Sequence, residues 1–270
     1  MIAVELNKLI RNRRTWITIA LIDTLPTLVA VLLAITDIGP RPGTGPAFLS
    51  AVLTDGTLYP LAAIAIVLPL FLPAAVAVVA GDAIAGESQA GTLRYVLIRP
   101  VGRTRLLVAK LASIMTFVFL TVIVVAATAY IAGITLLGDQ QGVATASVSG
   151  TSLTTQQVLW RTALSLAYAM LSMLGVASIA LFLSTVVESP LAAALGTIGV
   201  LIASTLLLTL DAATSLYPYL PTRYWLSFVD LFRDPILWRN VTRGTGLQLV
   251  YVVVLLGAGW ANFTTKDIKD

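Results

Sequence analysis

The sequence predicts an all-α polytopic membrane protein with six transmembrane helices. Hydrophobic residues make up 58% of the 270 residues and charged residues only 11%, whereas soluble domains contain about 25% charged residues. Long charge-free apolar runs recur along the chain, and a helix needs about 20 apolar residues to cross the roughly 30 Å hydrocarbon layer. Helices are expected because a backbone in contact with lipid must satisfy its own hydrogen bonds.

The apolar runs place the six spans. They cover residues 16–36, 58–80, 104–137, 162–187, 190–210 and 246–263. Trp16, Trp160 and Trp260 lie at span ends, which agrees with these boundaries because tryptophan is enriched at the headgroup level. The first run is longer than the apolar core of a usual signal peptide, so we expect it to be retained as a span.

The distribution of charge predicts the orientation in the cell membrane. With the N-terminus inside, eleven of the 17 Lys and Arg residues lie in inner segments, so the positive-inside rule places both termini in the cytoplasm. Because basic residues cluster at span ends, where lipid headgroups explain them, no nucleic-acid partner is expected. The chain has no Cys and no His, which excludes disulfides, thiolate nucleophiles, Cys/His zinc sites and His-based acid–base catalysis.

Residues 1–15 have the pattern of an amphipathic helix. The apolar side carries Ile2, Leu6, Leu9 and Ile10, and the other side carries Lys8, Arg11 and Arg14. Alternatively, the basic residues are only positive-inside anchors, but anchoring would not need an apolar stripe. We therefore expect a helix that lies on the inner membrane surface.

Residues 81–110, GDAIAGESQAGTLRYVLIRPVGRTRLLVAK, form a polar segment between spans two and three. The small residues of GESQAGT are expected to allow a sharp turn. The apolar positions of the short helix expected after this turn are Leu93, Val96 and Leu97. That helix must end near Pro100. An ordinary loop that only fixes topology would need neither the apolar spacing nor the acids Asp82 and Glu87, so we predict that the loop over residues 81–103 docks a partner.

This segment resembles the hallmark of permease subunits of type 2 ABC exporters. In that family the loop after the second span carries a glutamate, then Gly-Thr-Leu-Arg, an Arg-Pro turn, a further arginine and a lysine. The matching residues are Glu87, Gly91, Thr92, Leu93, Arg94, Arg99, Pro100, Arg103 and Lys110. The opening segment is also similar, at Glu5, Lys8, Arg11, Arg14 and Trp16. The family has six spans, so the resemblance covers the whole chain.

The resemblance implies one transmembrane permease domain over residues 1–270. It adds to the six spans an N-terminal interfacial helix, a cytoplasmic coupling helix and short outer-leaflet helices before the last span. Two separate ATPase subunits would dock on the interfacial helix and the coupling helix. A second permease, identical or related, would complete the transport path. ATP and magnesium are expected on the ATPase and no cofactor on this chain. Consistent with this, the sequence has no phosphate-binding loop, because Gly81 and Gly86 have its glycine spacing but are followed by Glu87.

The implied function is outward movement of a hydrophobic or amphipathic substrate, such as a drug, lipid or peptide. An alternative is a membrane scaffold or sensor subunit, which would dock a cytoplasmic partner without moving substrate. An ion-coupled transporter would rely on Asp23 as its one deep carboxylate and would leave residues 81–110 unexplained. An intramembrane enzyme is disfavoured because the spans hold no paired acids, histidine or cysteine.

Three residues inside the spans are candidates for the pathway or its gate. Asp23 lies about 10 Å deep if the helix rises 1.5 Å per residue. Since an ionised Asp at mid-bilayer costs about 2.5–3.5 kcal/mol, it should face protein or water. It is either a pathway residue or a buried polar contact, for instance with Thr27 or with a serine on another helix. Alternatively, the boundary of the span is misplaced. Pro69 and Pro73 remove backbone hydrogen bonds in span two and either permit bending or make fixed kinks.

Residues 211–245 are dense in aromatic side chains. They are too polar to span and too apolar to stay in water, so we expect short helices in the outer leaflet. In the resembled family this segment lies near the exit, so it is either a lid over the path or an aromatic belt. The small residues expected to allow close helix contacts are Ser172, Gly175, Ser178, Ala192, Gly196 and Gly199.

Overall fold

The computed structural model describes residues 1–36, 48, 52, 55–91, 102–137, 145–146 and 152–265. The α-helices of this part are α1 Ile2–Arg11, α2 Arg13–Thr36, α3 Tyr59–Val67, α4 Phe71–Gln89, α5 Arg103–Leu136, α6 Thr155–Val186, α7 Pro190–Leu207 and α8 Trp238–Thr265. Short 3-10 helices cover Gly56–Leu58, Asp211–Tyr219 and Trp225–Phe232. Two short strands, β1 Thr145–Ala146 and β2 Ser152–Leu153, pair antiparallel.

Six of these helices, α2 and α4 to α8, are long and apolar enough to cross a membrane. This confirms the predicted all-α polytopic fold. The fourth and sixth spans begin earlier than predicted, at Thr155 and Trp238 instead of residues 162 and 246. The early start of α6 has a local cause, because the Thr154 side chain accepts a hydrogen bond from the Gln157 N–H while the Gln157 side chain accepts from the Thr154 N–H.

The predicted second span, residues 58–80, is divided between two helices, α3 and the first half of α4. After α3, the chain leaves the helical conformation at Leu70, where φ is −138° and ψ is −58°. Pro69 lies in this break and has no N–H to donate to the Ala65 carbonyl. Pro73 lies in the first turn of α4, where an N–H would have no acceptor within the helix. The structure therefore shows a break at Pro69, and Pro73 removes no hydrogen bond.

Helix α6 lies at the centre of the bundle and packs against α4, α7 and α8. Gly81 and Gly175 are two of the glycines that allow close approaches between these helices. A Cβ on Gly81 of α4 would lie 3.0 Å from the Ala194 nitrogen of α7, and a Cβ on Gly175 would overlap the buried side chain of Gln248 on α8. Outside its own helix, Gly199 has no atom of the described residues within 4 Å of such a Cβ, so the described part of the chain shows no close helix contact at this position.

Candidate functional site

The N-terminal amphipathic segment is a helix followed by an elbow. Helix α1 ends at Arg11, and Asn12 is extended, with φ −78° and ψ 118°. The Asn12 side chain accepts a hydrogen bond from the Arg14 N–H at 3.0 Å, and the Trp16 indole donates to the Ile10 carbonyl at 2.8 Å. Asparagine is a favoured N-cap, so the sequence contained a signal for this elbow. The helix predicted for residues 1–15 is therefore shorter, and α2 starts before Trp16.

The segment predicted as a loop over residues 81–103 begins as helix. Helix α4 continues to Gln89, and the turn follows at Gly91, whose φ of +66° lies in the left-handed region that favours glycine. The turn thus uses the last glycine of GESQAGT. Gly86 is helical, and the Asp82 carboxylate occupies the place that a Cβ on Gly86 would take. Five of the predicted docking residues, Thr92, Leu93, Arg94, Arg99 and Pro100, lie outside the described residues, so the coupling helix stays a prediction.

A cluster of ion pairs joins α1, α4 and α5. Its centre is Lys110 of α5, which is only 4% exposed. The Lys110 ammonium donates to the Glu5 carboxylate of α1 at 3.1 Å and to the Glu87 carboxylate of α4. The Lys8 ammonium lies 3.4 Å from the same Glu87 oxygen. The negative charges of Glu5 and Glu87 are balanced by the positive charges of the buried Lys110 and the more exposed Lys8. Buried charges require such partners.

Arg103 makes hydrogen bonds to another helix of the same chain. Its guanidinium donates to the carbonyls of Phe263 and Thr264 at 2.9 and 2.8 Å. These carbonyls lie at the C-terminal end of α8, where a cation is favourable because the helix dipole is negative there. The Trp260 indole also donates to the Thr104 hydroxyl at 2.8 Å. Arg103, predicted as a docking residue, therefore joins the start of α5 to the end of α8.

Ser184 of α6 is inserted into a turn of α4. Its hydroxyl donates to the Gly81 carbonyl at 2.7 Å and accepts from the N–H groups of Ile84 and Ala85 at 3.1 and 2.9 Å. A side chain inserted into the backbone hydrogen bonds of a helix marks a site of bending. This contact lies one helical turn before Glu87, and no pattern in the sequence indicates it.

A cavity of about 770 Å³ lies beside the ion-pair cluster. It is bounded by the elbow between α1 and α2, by α4 and α5, and by the start of α7. A second cavity of about 180 Å³ lies beside the break in span two, where Pro69 and Pro73 face Leu201 and other residues of α7.

Comparison with known protein families identifies the family of this chain. The family model described as "ABC-2 family transporter protein" matches residues 1–204, which include α1, the ion-pair cluster and most of α7. The chain belongs to the ABC-2 transporter family. This confirms the resemblance to type 2 ABC permease subunits, and it implies a transport system with ATPase partners. Comparison with curated protein sequences gives no match.

Asp23 of this ABC-2 permease has a polar partner inside the bundle. The Thr128 hydroxyl of α5 donates to the half-buried Asp23 carboxylate at 2.6 Å. The partner is on a neighbouring helix, as one of the predicted contacts was, but it is a threonine and neither Thr27 nor a serine. The contact satisfies part of the hydrogen-bonding capacity of the carboxylate, and a role of Asp23 in the pathway stays a prediction.

The aromatic segment of the permease packs against α6 and α8. In the 3-10 helix Trp225–Phe232, Trp225, Phe228 and Phe232 are buried. The Asp230 carboxylate accepts hydrogen bonds from Arg233 at 2.9 Å and from Asn240 of α8 at 2.8 Å. Side chains of the buried part thus face the protein. By contrast Tyr219, in the preceding 3-10 helix, and Trp238, at the start of α8, are 68% and 48% exposed, so both ends of the segment have the exposure expected of an aromatic belt.

Proposed function

We propose that this permease moves a hydrophobic or amphipathic substrate, such as a drug, lipid or peptide, outward across the cell membrane. Two separate ATPase subunits would bind its cytoplasmic face and supply ATP and magnesium. A second permease, identical or related, would complete the path. The excess of basic residues in the segments on the α1 side supports the orientation with both termini in the cytoplasm.

The ion-pair cluster is the observation that carries the proposal. It joins α1 and the end of α4 to Lys110 in the bundle, next to the predicted coupling segment that follows Gly91. Separating a buried pair costs about 3–5 kcal/mol when one partner is left unpaired. The three helices therefore move together when a partner pushes on α1 or on residues 92–101.

The structure of span two supports transport over a scaffold role. The cytoplasmic end of α4 is held by Glu87, while its other end is separated from α3 by the break at Pro69. Helix α4 can thus tilt without moving the buried α3. The cavity of about 180 Å³ beside the break lies between α4 and α7, so this tilt changes the space between two spans. A scaffold would need no such element.

The experiment compares two carboxylate variants of the tagged permease. Glu87→Gln removes the charge paired with Lys110. Glu188→Gln, in the exposed link between α6 and α7, is the matched control on the same side of the membrane. An ATPase subunit with a phosphate-binding loop is identified by pull-down, and ATP-dependent substrate movement is measured in liposomes. We expect Glu87→Gln to lower transport at least tenfold and Glu188→Gln to leave it unchanged.

Wild-type assembly, hydrolysis and transport by Glu87→Gln would show that the cluster does not transmit motion. A wild-type permease that binds the ATPase but moves none of a panel of fluorescent drugs, lipids and peptides would indicate the scaffold function.

A further inference from the structure

The cavity beside the elbow of α1 and α2 has the size of a ligand site. Its volume of about 770 Å³ falls within the roughly 300–1,000 Å³ of small-molecule pockets. Its walls include Arg14 and Ile17 from α2, Val78 and Asp82 from α4, and Leu191 from α7.

The charges around this cavity leave one cation and one anion available. Glu5, Lys8, Glu87 and Lys110 also line it, but they pair with one another. The two remaining charged lining residues, Arg14 and Asp82, are exposed, and neither makes an ion pair with a residue that the structure describes. A ligand with one negative and one positive group satisfies both, whereas a singly charged ligand leaves one of them unpaired.

Part of the exposed lining of the cavity is apolar. Its apolar side chains are Ile17, Val78 and Leu191, which are 59%, 56% and 66% exposed. These side chains lie on three helices that are long and apolar enough to cross a membrane, near the end that carries α1, so this part of the lining suits an apolar group. A water-soluble zwitterion would leave this apolar part of the lining in contact with water, which is unfavourable in proportion to the apolar area. The ligand is therefore amphipathic.

We infer that this cavity binds the headgroup of a zwitterionic phospholipid that carries both a phosphate and an ammonium group. Arg14 offers the planar donor fork that matches phosphate oxygens. Asp82 accepts from the ammonium, and the acyl chains follow Val78 and Leu191 into the leaflet next to α1. Gly86 takes part indirectly, because only a residue without a Cβ leaves room for the Asp82 carboxylate in its present position. The inference concerns binding by the permease alone and does not depend on the docking of an ATPase.

The test measures lipid binding to the purified permease without an ATPase, by native mass spectrometry and by titration with fluorescent lipid. Phosphatidylethanolamine should bind saturably and at least tenfold more tightly than phosphatidylglycerol or diacylglycerol. Arg14→Gln and Asp82→Asn should each weaken its binding about tenfold or more. The matched control is Arg13→Gln, which removes the neighbouring exposed arginine outside the cavity and should change nothing. If Asp82→Asn fails to fold, Gly86→Ala tests the same point by displacing the carboxylate.

Several results would overturn the inference. Equal binding of phosphatidylglycerol, with no effect of Asp82→Asn, would show a simple anion site. An Arg13→Gln effect as large as that of Arg14→Gln would show only diffuse attraction to headgroups. Full competition by free phosphoethanolamine would identify a water-soluble ligand. Absence of saturable binding, together with a change of oligomeric state in Arg14→Gln, would assign the cavity to a second copy of the chain.

Discussion

Replacing Lys110 by methionine should destabilise the permease by about 3–5 kcal/mol, the usual result of removing one member of a buried ion pair. The Lys110 ammonium lies within 3.1 Å of the carboxylates of Glu5 and Glu87, and all three side chains are at most 16% exposed. Without the ammonium, two carboxylate oxygens that are at most about 6 Å apart face each other. At that distance two like charges repel by about 3 kcal/mol for an effective dielectric constant of about 20.

The assay is reversible unfolding of the purified protein, followed by tryptophan fluorescence. A triple variant, Glu5→Gln, Glu87→Gln and Lys110→Met, removes all three charges and should return to within about 1 kcal/mol of the wild type, because no buried charge is then left unpaired. Lys8→Met is the surface control, since Lys8 is 64% exposed and such pairs contribute about 0–1 kcal/mol. A Lys110→Met variant as stable as the wild type, or a triple variant as unstable as the single one, would refute this reasoning.

Three further variants test other contacts, and a fourth serves as a control. Thr128→Val should cost about 1–3 kcal/mol because the Asp23 carboxylate loses its donor; unchanged unfolding would mean that this hydrogen bond contributes nothing. Arg103→Gln should lower hydrogen-exchange protection at the end of α8 about tenfold, since a charged donor to its carbonyls is lost, and unaltered protection would contradict that role. Gly175→Ala should cost about 1–3 kcal/mol because its Cβ overlaps a buried side chain of α8. Gly199→Ala, where nothing lies within 4 Å, should be neutral or stabilising, and equal losses for both glycines would contradict the packing.

The six spans could be predicted because the thickness of the hydrocarbon layer fixes the length of each apolar run. The ends of the spans were less predictable, since a helix continues into polar residues where local hydrogen bonds favour it. The capping box of Thr154 and Gln157 is such a signal. The break in span two could be predicted only in part. The prolines indicated a distortion, but whether a helix bends or breaks depends on how α3 and α4 pack.

The contacts of the charged residues could not be predicted. The sequence predicts Glu5 and Lys8 in the interfacial helix and Glu87 in the docking loop, yet their partners are distant in sequence: 105 residues separate Glu5 from Lys110 and 79 separate Lys8 from Glu87. Such pairs exist only after α1, α4 and α5 have packed. The same holds for Arg103, whose partners are carbonyl oxygens of α8, because backbone acceptors leave no pattern in the side chains.

Single-cysteine labelling tests the central proposal, ATPase docking beside α1 and the end of α4, most directly. The chain has no cysteine, so each introduced thiol is labelled without background. Gln89→Cys, at the exposed end of α4, should react with a membrane-impermeant maleimide in inverted vesicles, and a saturating ATPase subunit should slow that reaction at least tenfold. Tyr219→Cys lies in the exposed 3-10 helix that the proposed orientation places outside, so it should react in intact cells at the same rate with or without the ATPase. Labelling of Gln89→Cys in intact cells, or at an unchanged rate in the assembled complex, would contradict the account.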